Sequence, residues 1–553
     1  MLETPRPQVD NAIAALSDRK NDWLTIGIPE RIAYLRDCLA GVKAIAEDWV
    51  KAACAAKGIA PDAPLAGEEW IAGPVATLWN LRLLIKTLVA DGQPTPVAVE
   101  QKANHQTVVQ IFPDNLMDRL LFLGFRGEIW LEPGKPATQG LVYRQRPSEG
   151  KLALILGAGN VSSIAPADTL YKLFAEDQVV LLKMNPVNEY MGALLEQAFA
   201  PLITDGFLNI VYGGAELGSY LCQHPDIESI HITGSHHTHD AIVWGSPSAE
   251  QQQRQTDHTP RLTKPISSEL GCVTPILVVP GNWSKADMTF QARHIAGMVA
   301  HNASFNCVAA KVVVTAKGWH QREEFLQQLY QQLAKTPSRQ AYYPGAQQRY
   351  QAFLDRYPQA NPLAERTETI VPWTMIPDVP PAADEYALQT EAFCGVLAEV
   401  SLEAENAKSF LAQATEFVNQ HVWGNLSCIL LVDPTTQRRV AAELQTAIAQ
   451  LRYGVIGVNT WTGAVYLMGA APWGAFPGNS LDNIQSGVGV VHNTYLFEHP
   501  QKVVVYAPFH IIPTPVWFAD HKNLLQLAQR FALLQAAPDL GKFIRVVVAA
   551  FKG

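Results

Sequence analysis

Four strand-like runs, of which the first is continuously apolar, are separated by helical patterns and constrain the fold of this chain more than any other feature. The runs lie at residues 152–156, 179–183, 208–212 and 227–233. A run without polar alternation is typical of a strand that is buried on both faces. Strands and helices that alternate at this spacing predict a parallel sheet with right-handed crossover connections. Such sheets bind ligands beyond the carboxyl ends of their strands, so the sequence predicts a nucleotide-binding domain here.

Composition narrows the class of protein. With 553 residues, 48% hydrophobic and 17% charged, the chain is long enough for two or three globular domains. Its seven cysteines are scattered and lack the paired spacing of a disulfide framework or a zinc site, which predicts a reducing, cytoplasmic location. No apolar run approaches the roughly 20 residues of a membrane span. A net charge of −9 argues against nucleic acid as a partner.

Cys307 lies in a turn of small residues directly before the strand-like run 311–314, and Asn302 precedes it by five residues. A thiol at the end of a strand is well placed for covalent catalysis, because a modest local field is enough to lower its pKa. Taken alone, such a cysteine is more often a buried structural residue. The motifs found elsewhere in the chain therefore decide its interpretation.

Further units flank the nucleotide-type region. Apolar positions at helical spacing between residues 7 and 60 predict amphipathic helices that pack on a larger body. Strand-like pieces at 128–131 and 141–143 predict a hairpin or an arm. From residue 307 to about 432, alternating strands and helices predict a second α/β domain.

The last segment, residues 491–553, contains a strand-like stretch at 502–506 and an amphipathic helix at 524–534. A docked C-terminal extension or a subunit interface is the favoured interpretation. A helix lying on a membrane surface is the alternative, and the low density of lysine and arginine on its polar face disfavours it.

Seven short motifs occur in the order and spacing of the aldehyde dehydrogenase superfamily, which the chain resembles from about residue 150 to 490. Each motif alone is weak, and their common order makes the resemblance specific. The motifs are Gly159-Asn160, Lys183, Thr233-Gly234-Ser235, Glu269-Leu270-Gly271, Asn302 with Cys307, Glu391-Ala392-Phe393 and Pro472-Trp473-Gly474-Ala475-Phe476.

The resemblance implies an aldehyde dehydrogenase-like α/β fold: a Rossmann-type nucleotide-binding domain, a second α/β catalytic domain and a small oligomerisation arm. The expected boundaries are residues 1–268 for the N-terminal helices and the dinucleotide-binding domain, with the arm near 128–146. The catalytic domain with its cysteine nucleophile would span 269–490, and residues 491–553 would form the C-terminal extension.

The resemblance also implies roles for single residues. Cys307 would be the nucleophile and Glu269 the general base. The Asn160 side chain and the Cys307 backbone N–H would stabilise an oxyanion. Of the cofactor-binding residues that it implies, Lys183 would reach the cofactor ribose, Gly234 and Ser235 would lie beside the pyrophosphate, and Glu391 and Phe393 would hold the nicotinamide ribose. No metal is implied.

Two departures from the family pattern concern the cofactor. The glycine turn lacks a second glycine, and Ser235 is followed by a polar run that starts at His236. A metal site is one interpretation of these histidines, but a polar helix start is favoured. Pro186 stands three residues after Lys183, where NAD-selective members often carry a glutamate. Losing that carboxylate permits NADP, although no arginine that would grip a 2′-phosphate is obvious, so we expect NAD or NADP.

Two alternatives stay open for the reaction. Gly159-Asn160-Val161 and residues 307–311 also resemble the acyl-CoA reductase branch of the superfamily, where coenzyme A instead of water forms or resolves the thioester. Those enzymes often lack the glutamate base, since a thiol needs less activation than water, so Glu269 favours hydrolysis. A non-catalytic binding or scaffold member is the remote alternative, which the joint presence of nucleophile, base, amide and lysine disfavours.

The substrate and the assembly are predicted by analogy. Aromatic residues of the late loop would line an apolar tunnel and favour a long-chain or aromatic aldehyde; they are Trp461, Tyr466, Trp473 and Phe476, together with Met468. Family members are commonly dimers or tetramers, and the arm near 128–146 would suit exchange between subunits. We therefore expect a homodimer or homotetramer.

Overall fold

The computed structural model describes residues 3–102 and 105–553. It confirms the predicted α/β class, with two mainly parallel sheets among the described residues and helices packed on them. The strands, in chain order, are β1 (Ala98–Gln101), β2 (Thr107–Phe112), β3 (Arg126–Leu131), β4 (Leu152–Leu156), β5 (Val179–Lys183), β6 (Leu208–Val211), β7 (Ser229–Gly234), β8 (Ile266–Leu270), β9 (Thr274–Val278), β10 (Ala310–Ala316), β11 (Asn361–Pro362), β12 (Thr374–Ile376), β13 (Val396–Leu402), β14 (Ser427–Leu431), β15 (Val455–Val458), β16 (Pro472–Trp473), β17 (Gly487–Val488), β18 (Val491–His492) and β19 (Pro500–Tyr506).

The helices account for about half of the remaining described residues. In chain order they are α1 (Arg6–Thr25), α2 (Ile28–Ala56), α3 (Ala66–Trp70), α4 (Ala76–Val89), α5 (Leu116–Leu121), α6 (Leu141–Arg144), α7 (Ile164–Phe174), α8 (Gly192–Ala198), α9 (Ala200–Thr204), α10 (Ala215–Gln223), α11 (His236–Val243), α12 (Ala249–Thr256), α13 (Lys285–Ala300), α14 (Arg322–Lys335), α15 (Ala346–Arg356), α16 (Tyr386–Gln389), α17 (Ala407–His421), α18 (Pro434–Arg439), α19 (Ala441–Gln450), α20 (Thr462–Leu467), α21 (Leu524–Ala536) and α22 (Leu540–Ala550).

The first sheet contains the four strands that the strand-like runs between residues 152 and 233 predict. Within the described chain its order is β17-β8-β7-β4-β5-β6. All neighbours are parallel except β17, which closes one edge antiparallel to β8. The chain moves outward from β4 to β5 and β6, and then returns to the other side of β4 for β7 and β8. This reversal creates a crevice at the carboxyl ends of β4 and its neighbours, where open α/β sheets bind ligands.

The second sheet confirms the α/β region predicted after residue 307 and extends it. Its order, for the residues described, is β1-β2-β3-β19-β15-β14-β9-β10-β13-β12-β11. Seven neighbouring strands, from β19 to β12, run parallel, and antiparallel strands flank them on both sides. Cys307 lies three residues before β10, so the predicted nucleophile is at the amino end of an inner strand of this sheet.

The predicted hairpin near residues 128–146 does not form. Glu128 lies in β3, which pairs with β2 on one side and β19 on the other within the same chain. Residues 141–143, predicted as a strand, instead form α6. The side chain of Tyr143 explains this, because its hydroxyl donates to Phe174 O at 2.6 Å and anchors the segment on α7. The predicted homodimer or homotetramer stays a prediction that light scattering can test.

The segment after residue 491 is more than a docked extension. Its predicted strand is β19, which lies inside the second sheet and pairs in parallel with β15. The second sheet thus continues across the boundary expected at 490/491, because β19 joins β3 to β15. The predicted helix at 524–534 is present as α21, and α22 follows it. In the parts of the chain that the structure describes, no helix is long and apolar enough to cross a bilayer.

A buried ion pair between Arg31 and Asp177 links the N-terminal helices to the first sheet. Arg31 of α2 contacts Asp177, the residue two before β5, at 2.5 Å, and the two side chains are 0% and 1% exposed. The same guanidinium donates to Trp23 O at 2.7 Å and lies over the Trp23 ring at 4.3 Å. Because both charges are withdrawn from water, each depends on the other for compensation.

Replacing Arg31 with methionine is expected to lower the free energy of unfolding by about 3–5 kcal/mol, because it leaves Asp177 buried without its cation. Urea unfolding followed by circular dichroism measures the change. The double variant Arg31→Met/Asp177→Asn is the control, and it should lose clearly less stability. If the single and double variants lose the same amount, the unpaired charge is not the cause.

Candidate active site

A cavity of about 730 Å³ opens where the carboxyl ends of the first sheet meet the turn before β10. It is lined by all the residues that the sequence predicted for catalysis and cofactor binding. These are Asn160, Lys183, Gly234, Ser235, Glu269, Cys307, Glu391 and Phe393. The structure therefore brings together side chains that lie up to 233 positions apart in the sequence.

The turn before Cys307 has an unusual backbone. Asn302, Ala303 and Ser304 have φ angles of 53°, 52° and 69°. These angles are in the left-handed region, which residues with a Cβ adopt rarely and at an energetic cost. Surrounding contacts must therefore hold three successive residues in this conformation.

The thiol of Cys307 lines the cavity and is partly buried, whereas the other six cysteines are fully buried. Burial raises the pKa of the Cys307 thiol, and the carboxyl groups of Glu391 and Glu269 raise it further. The resting form at neutral pH is thus the thiol. A nucleophile in this position needs a base that takes its proton.

Glu269 places a second buried carboxyl group in the cavity that contains Cys307. It is the fourth residue of β8, it is 4% exposed, and neither carboxylate oxygen has a hydrogen-bond partner among the described residues. Burial raises its pKa well above the ordinary value, and the charge of Asp168 adds to the shift. A Cβ at Gly474 would lie 2.9 Å from Glu269 Oε1, so a glycine in the late loop leaves the space beside this carboxyl open.

Asn160 connects the turn after β4 to the turn before Cys307. Its Nδ2 donates to Phe305 O at 3.0 Å. Asn302 Nδ2 in turn donates to Asn160 O at 3.0 Å and to Phe305 O at 3.1 Å. The two asparagines thereby fix each other and the backbone on the N-terminal side of the thiol.

The nucleotide side of the cavity is formed by strand ends. Lys183 ends β5 and Gly234 ends β7. Ser235 caps α11, since its Oγ accepts from the Thr238 N–H at 3.2 Å. The predicted polar helix start is thus confirmed, and the part of the chain that is described contains no group of three or more potential metal ligands. Nothing lies within 3.6 Å of a Cβ built at Gly234, which leaves this backbone open to a ligand.

An arginine holds the loop that carries Glu391 and Phe393. Arg349 donates from Nε to Ala392 O and from an Nη atom to Phe393 O, at 3.2 Å each. Glu391 Oε1 is buried without a hydrogen-bond partner among the residues described. Burial raises the pKa of Glu391, and the ammonium of Lys311 opposes the shift. An unpartnered buried oxygen that faces a cavity can accept a hydrogen bond from a bound hydroxyl group.

A family model described as the aldehyde dehydrogenase family matches residues 152–477, which is more than half of the chain. The chain belongs to this family. Among curated relatives, aldehyde dehydrogenase LUC3 of Fusarium sp is 25% identical over 181 residues, which is 32% of this chain and 36% of that protein. Human 4-trimethylaminobutyraldehyde dehydrogenase is 28% identical over 100 residues, 18% of each chain. The matches thus span about a third or less of these relatives.

Solved structures of the family share the whole fold. The Mycobacterium tuberculosis aldehyde dehydrogenase complexed with NAD+ superimposes with a TM-score of 0.63 at 16% identity, covering 93% of this chain and 92% of that chain. Aldehyde dehydrogenase 21 from Physcomitrella patens, in complex with the reaction product succinate, gives 0.62 at 14% identity, covering 91% and 90%. At these identities the likeness establishes the aldehyde dehydrogenase fold.

Several residues around the site of this aldehyde dehydrogenase family member escaped the sequence analysis. They are charged or polar side chains behind the cysteine turn, of which four are buried and two, Arg339 and Tyr342, are half-buried: Lys57, Glu68, Glu69, Lys311, Arg339 and Tyr342. The one available signal was a pair of adjacent glutamates at 68 and 69 beside a tryptophan, within a helical pattern that is otherwise apolar. Such a pair is costly to bury unless each carboxylate has a partner.

The aromatic wall of the cavity differs in part from the prediction. Trp461, Tyr466 and Trp473 line it, as expected. Phe476 and Met468 do not: Phe476 lines a separate depression near Arg452, and Met468 is buried in the core. Val516 and Trp517, from the segment before α21, complete the wall instead. Of the late loop 472–476, Trp473 lines the cavity, and the C-terminal segment supplies further apolar surface.

Proposed function

We propose that this chain oxidises an aldehyde to the carboxylic acid with NAD or NADP, through a covalent intermediate on Cys307. The observation that carries the proposal is a single cavity that holds a cysteine, an unpartnered buried carboxyl group at Glu269 and the amide of Asn160. Family membership supports it. So does the similar M. tuberculosis structure, which is a complex with NAD+.

Cys307 begins the proposed reaction by adding its sulfur to the carbonyl carbon of the aldehyde. Because burial raises the pKa of the thiol, a base must take its proton, and we assign this step to Glu269, one of three carboxyl groups that line the same cavity. The addition places negative charge on the former carbonyl oxygen. The Asn160 amide and the Cys307 backbone N–H are the donors for this oxyanion, and each such donor typically contributes ~3 kcal/mol.

The residues at the strand ends fit a dinucleotide. Lys183 supplies a cation, the open backbone at Gly234 and the N-terminus of α11 suit a pyrophosphate, and the unpartnered oxygen of Glu391 suits a ribose hydroxyl. When bound, the nicotinamide ring would accept the hydrogen of the aldehyde carbon with two electrons, which leaves an acyl group on Cys307.

Glu269 completes the proposed cycle by activating water. Once the proton taken from Cys307 has passed to solvent, the Glu269 carboxylate takes a proton from the water whose oxygen attacks the thioester carbon. The C–S bond then breaks, the proton on Glu269 passes to the sulfur, and the acid and the Cys307 thiol are released. The lack of hydrogen-bond partners at this carboxyl group supports the role, because an incoming water is its natural partner. The aromatic wall, with Trp461, Trp473 and Trp517, supports a long-chain or aromatic aldehyde as the substrate.

We expect the cavity to accept NADP as well as NAD. Pro186 brings no carboxylate that would repel a 2′-phosphate, and the structure adds Arg261, which the sequence analysis did not identify, to the cavity lining. Arg261→Gln should raise KM for NADP about tenfold relative to its effect on KM for NAD, because a charge-assisted hydrogen bond is lost. Initial rates with each cofactor measure this ratio. Arg254→Gln is the control, since Arg254 lies outside the cavity lining and pairs with Glu250.

A nicotinamide absorbance assay, run in both directions, tests the proposed function. One reaction contains a medium-chain aldehyde with NAD or NADP, and the other contains the matching acyl-CoA with the reduced cofactor. Cofactor reduction without coenzyme A is the expected result. Turnover only in the presence of coenzyme A would instead make the chain an acyl-CoA reductase. No turnover in either reaction would contradict an enzymatic role on these substrates.

A further inference from the structure

Lys57 is a buried cation that reaches the back of the active site from the N-terminal helices. It directly follows α2 and is 6% exposed. Its Nζ donates to both carboxylate oxygens of Glu69 at 2.9 Å, to Asn302 Oδ1 at 3.0 Å and to Asn160 O at 3.3 Å. One ammonium group thus bridges a carboxylate to the two asparagines that flank the nucleophile.

A second buried ion pair holds the same turn. Glu68 Oε2 accepts from the backbone N–H of Asn302 at 3.2 Å and pairs with Arg339 at 3.1 Å. Burial alone would raise the pKa of Glu68, but Arg339 and His301 outweigh it and lower that pKa below its ordinary value. The two adjacent glutamates of α3 therefore both fix Asn302. Glu68 accepts from its backbone N–H, and Glu69 binds the Lys57 ammonium that donates to its side chain.

These contacts coincide with the left-handed run of Asn302, Ala303 and Ser304. The first residue of the run is held by Glu68, by Lys57 and by the Tyr342 hydroxyl, which lies 3.0 Å from Asn302 Oδ1. The last is held by Lys311, whose Nζ donates to Ser304 Oγ at 2.9 Å. Left-handed backbone angles are unfavourable for these residues, so the hydrogen bonds from charged side chains at both ends of the run hold it in this conformation.

We propose that Lys57, oriented by Glu69, is a positioning residue of the active site. Its ammonium keeps Asn302 and the Asn160 carbonyl in place. This fixes the position of the Cys307 thiol in the cavity and the orientation of the Asn160 side-chain amide. The inference rests on the proposed function in one respect, namely that the Cys307 thiol and the Asn160 amide act in aldehyde oxidation. The hydrogen bonds that carry it are independent of that function.

The test replaces the ion pair by neutral side chains of similar volume, Lys57→Met/Glu69→Gln, so that no buried charge is left unpaired. We expect kcat for aldehyde oxidation to fall about 10- to 100-fold, as for a small displacement of reacting groups, with KM for aldehyde and cofactor within about twofold. Alkylation of Cys307 by iodoacetamide should become several-fold faster, because a relaxed turn exposes the thiol. Peptide mass spectrometry assigns the modified cysteine.

The double variant Arg31→Met/Asp177→Asn is the matched control, since it neutralises another buried ion pair that makes no contact with the turn. It should change stability without changing kcat or the alkylation rate. If Lys57→Met/Glu69→Gln leaves both kcat and alkylation within twofold of wild type, the proposal is overturned. Faster alkylation in a protein whose wild type oxidises no aldehyde would keep the positioning role and reject the proposed function.

Discussion

Replacing Cys307 with alanine is expected to lower kcat for aldehyde oxidation by about 10⁴-fold or more, to the background of the assay. The substitution removes the atom that bonds to the carbonyl carbon, and water cannot replace it in an adduct that must collapse to an acyl-enzyme. Initial rates at the nicotinamide absorbance band measure the effect. Cofactor affinity, measured by fluorescence titration, should stay within about twofold, because the strand ends that bind it are unchanged.

Cys38→Ala is the control for this prediction. It removes a thiol that is fully buried in α2, away from the cavity lining, and should leave kcat within about twofold. In wild type, the rate of Cys307 alkylation should rise with pH across the neutral range, because burial raises the thiol pKa and the thiolate is the reactive form. A Cys307→Ala protein with near wild-type turnover would show that the cysteine is structural.

Replacing Glu269 with glutamine is expected to slow hydrolysis of the thioester by about 10²–10⁴-fold, the usual contribution of a general base. The rate of acylation should fall by a smaller factor, since a thiol needs less activation than water. A rapid-mixing experiment should therefore show a burst of close to one reduced cofactor per active site, followed by slow turnover. Mass spectrometry of the quenched protein should find the acyl group on Cys307.

The pH dependence supplies an independent check on Glu269. Burial raises its pKa, so the carboxylate form that accepts a proton is populated only as pH rises through that raised value. The wild-type deacylation rate should thus increase with pH, and Glu269→Gln should flatten the profile. Glu323→Gln, at a side chain that is 85% exposed, is the control. Restoration of full turnover to Glu269→Gln by coenzyme A would contradict the hydrolytic mechanism.

The sequence was sufficient for the class of fold and for the candidate catalytic and cofactor-binding residues that line the cavity. The strands at 152–156 and 179–183 are buried on both faces, so their almost wholly apolar composition predicts them from the sequence alone. Motifs such as Glu269-Leu270-Gly271 are local, and the parallel sheet brings successive strand ends to the same crevice. Local pattern and topology together therefore place Cys307, Glu269 and Asn160 near one another.

The sequence was misleading where an element depends on a distant partner. Residues 141–143 have strand-like composition, yet the bond from Tyr143 to Phe174 places them in a helix. Residues 500–506 were assigned to an extension, although they form an inner strand of the second sheet. Strand pairing and side-chain anchoring are long-range interactions, and a local pattern contains no information about them.

By itself, then, the sequence determined the α/β architecture, the order of the motifs and the candidate catalytic and cofactor-binding residues that line the cavity. Only the tertiary structure decided that Lys57 and Glu69, more than 230 positions before Asn302, hold the turn that carries Cys307. It also decided that Trp517 replaces Phe476 in the cavity wall. The physical reason is that a buried charge or ring is stable only beside its partner, and folding alone determines which distant residue that partner is.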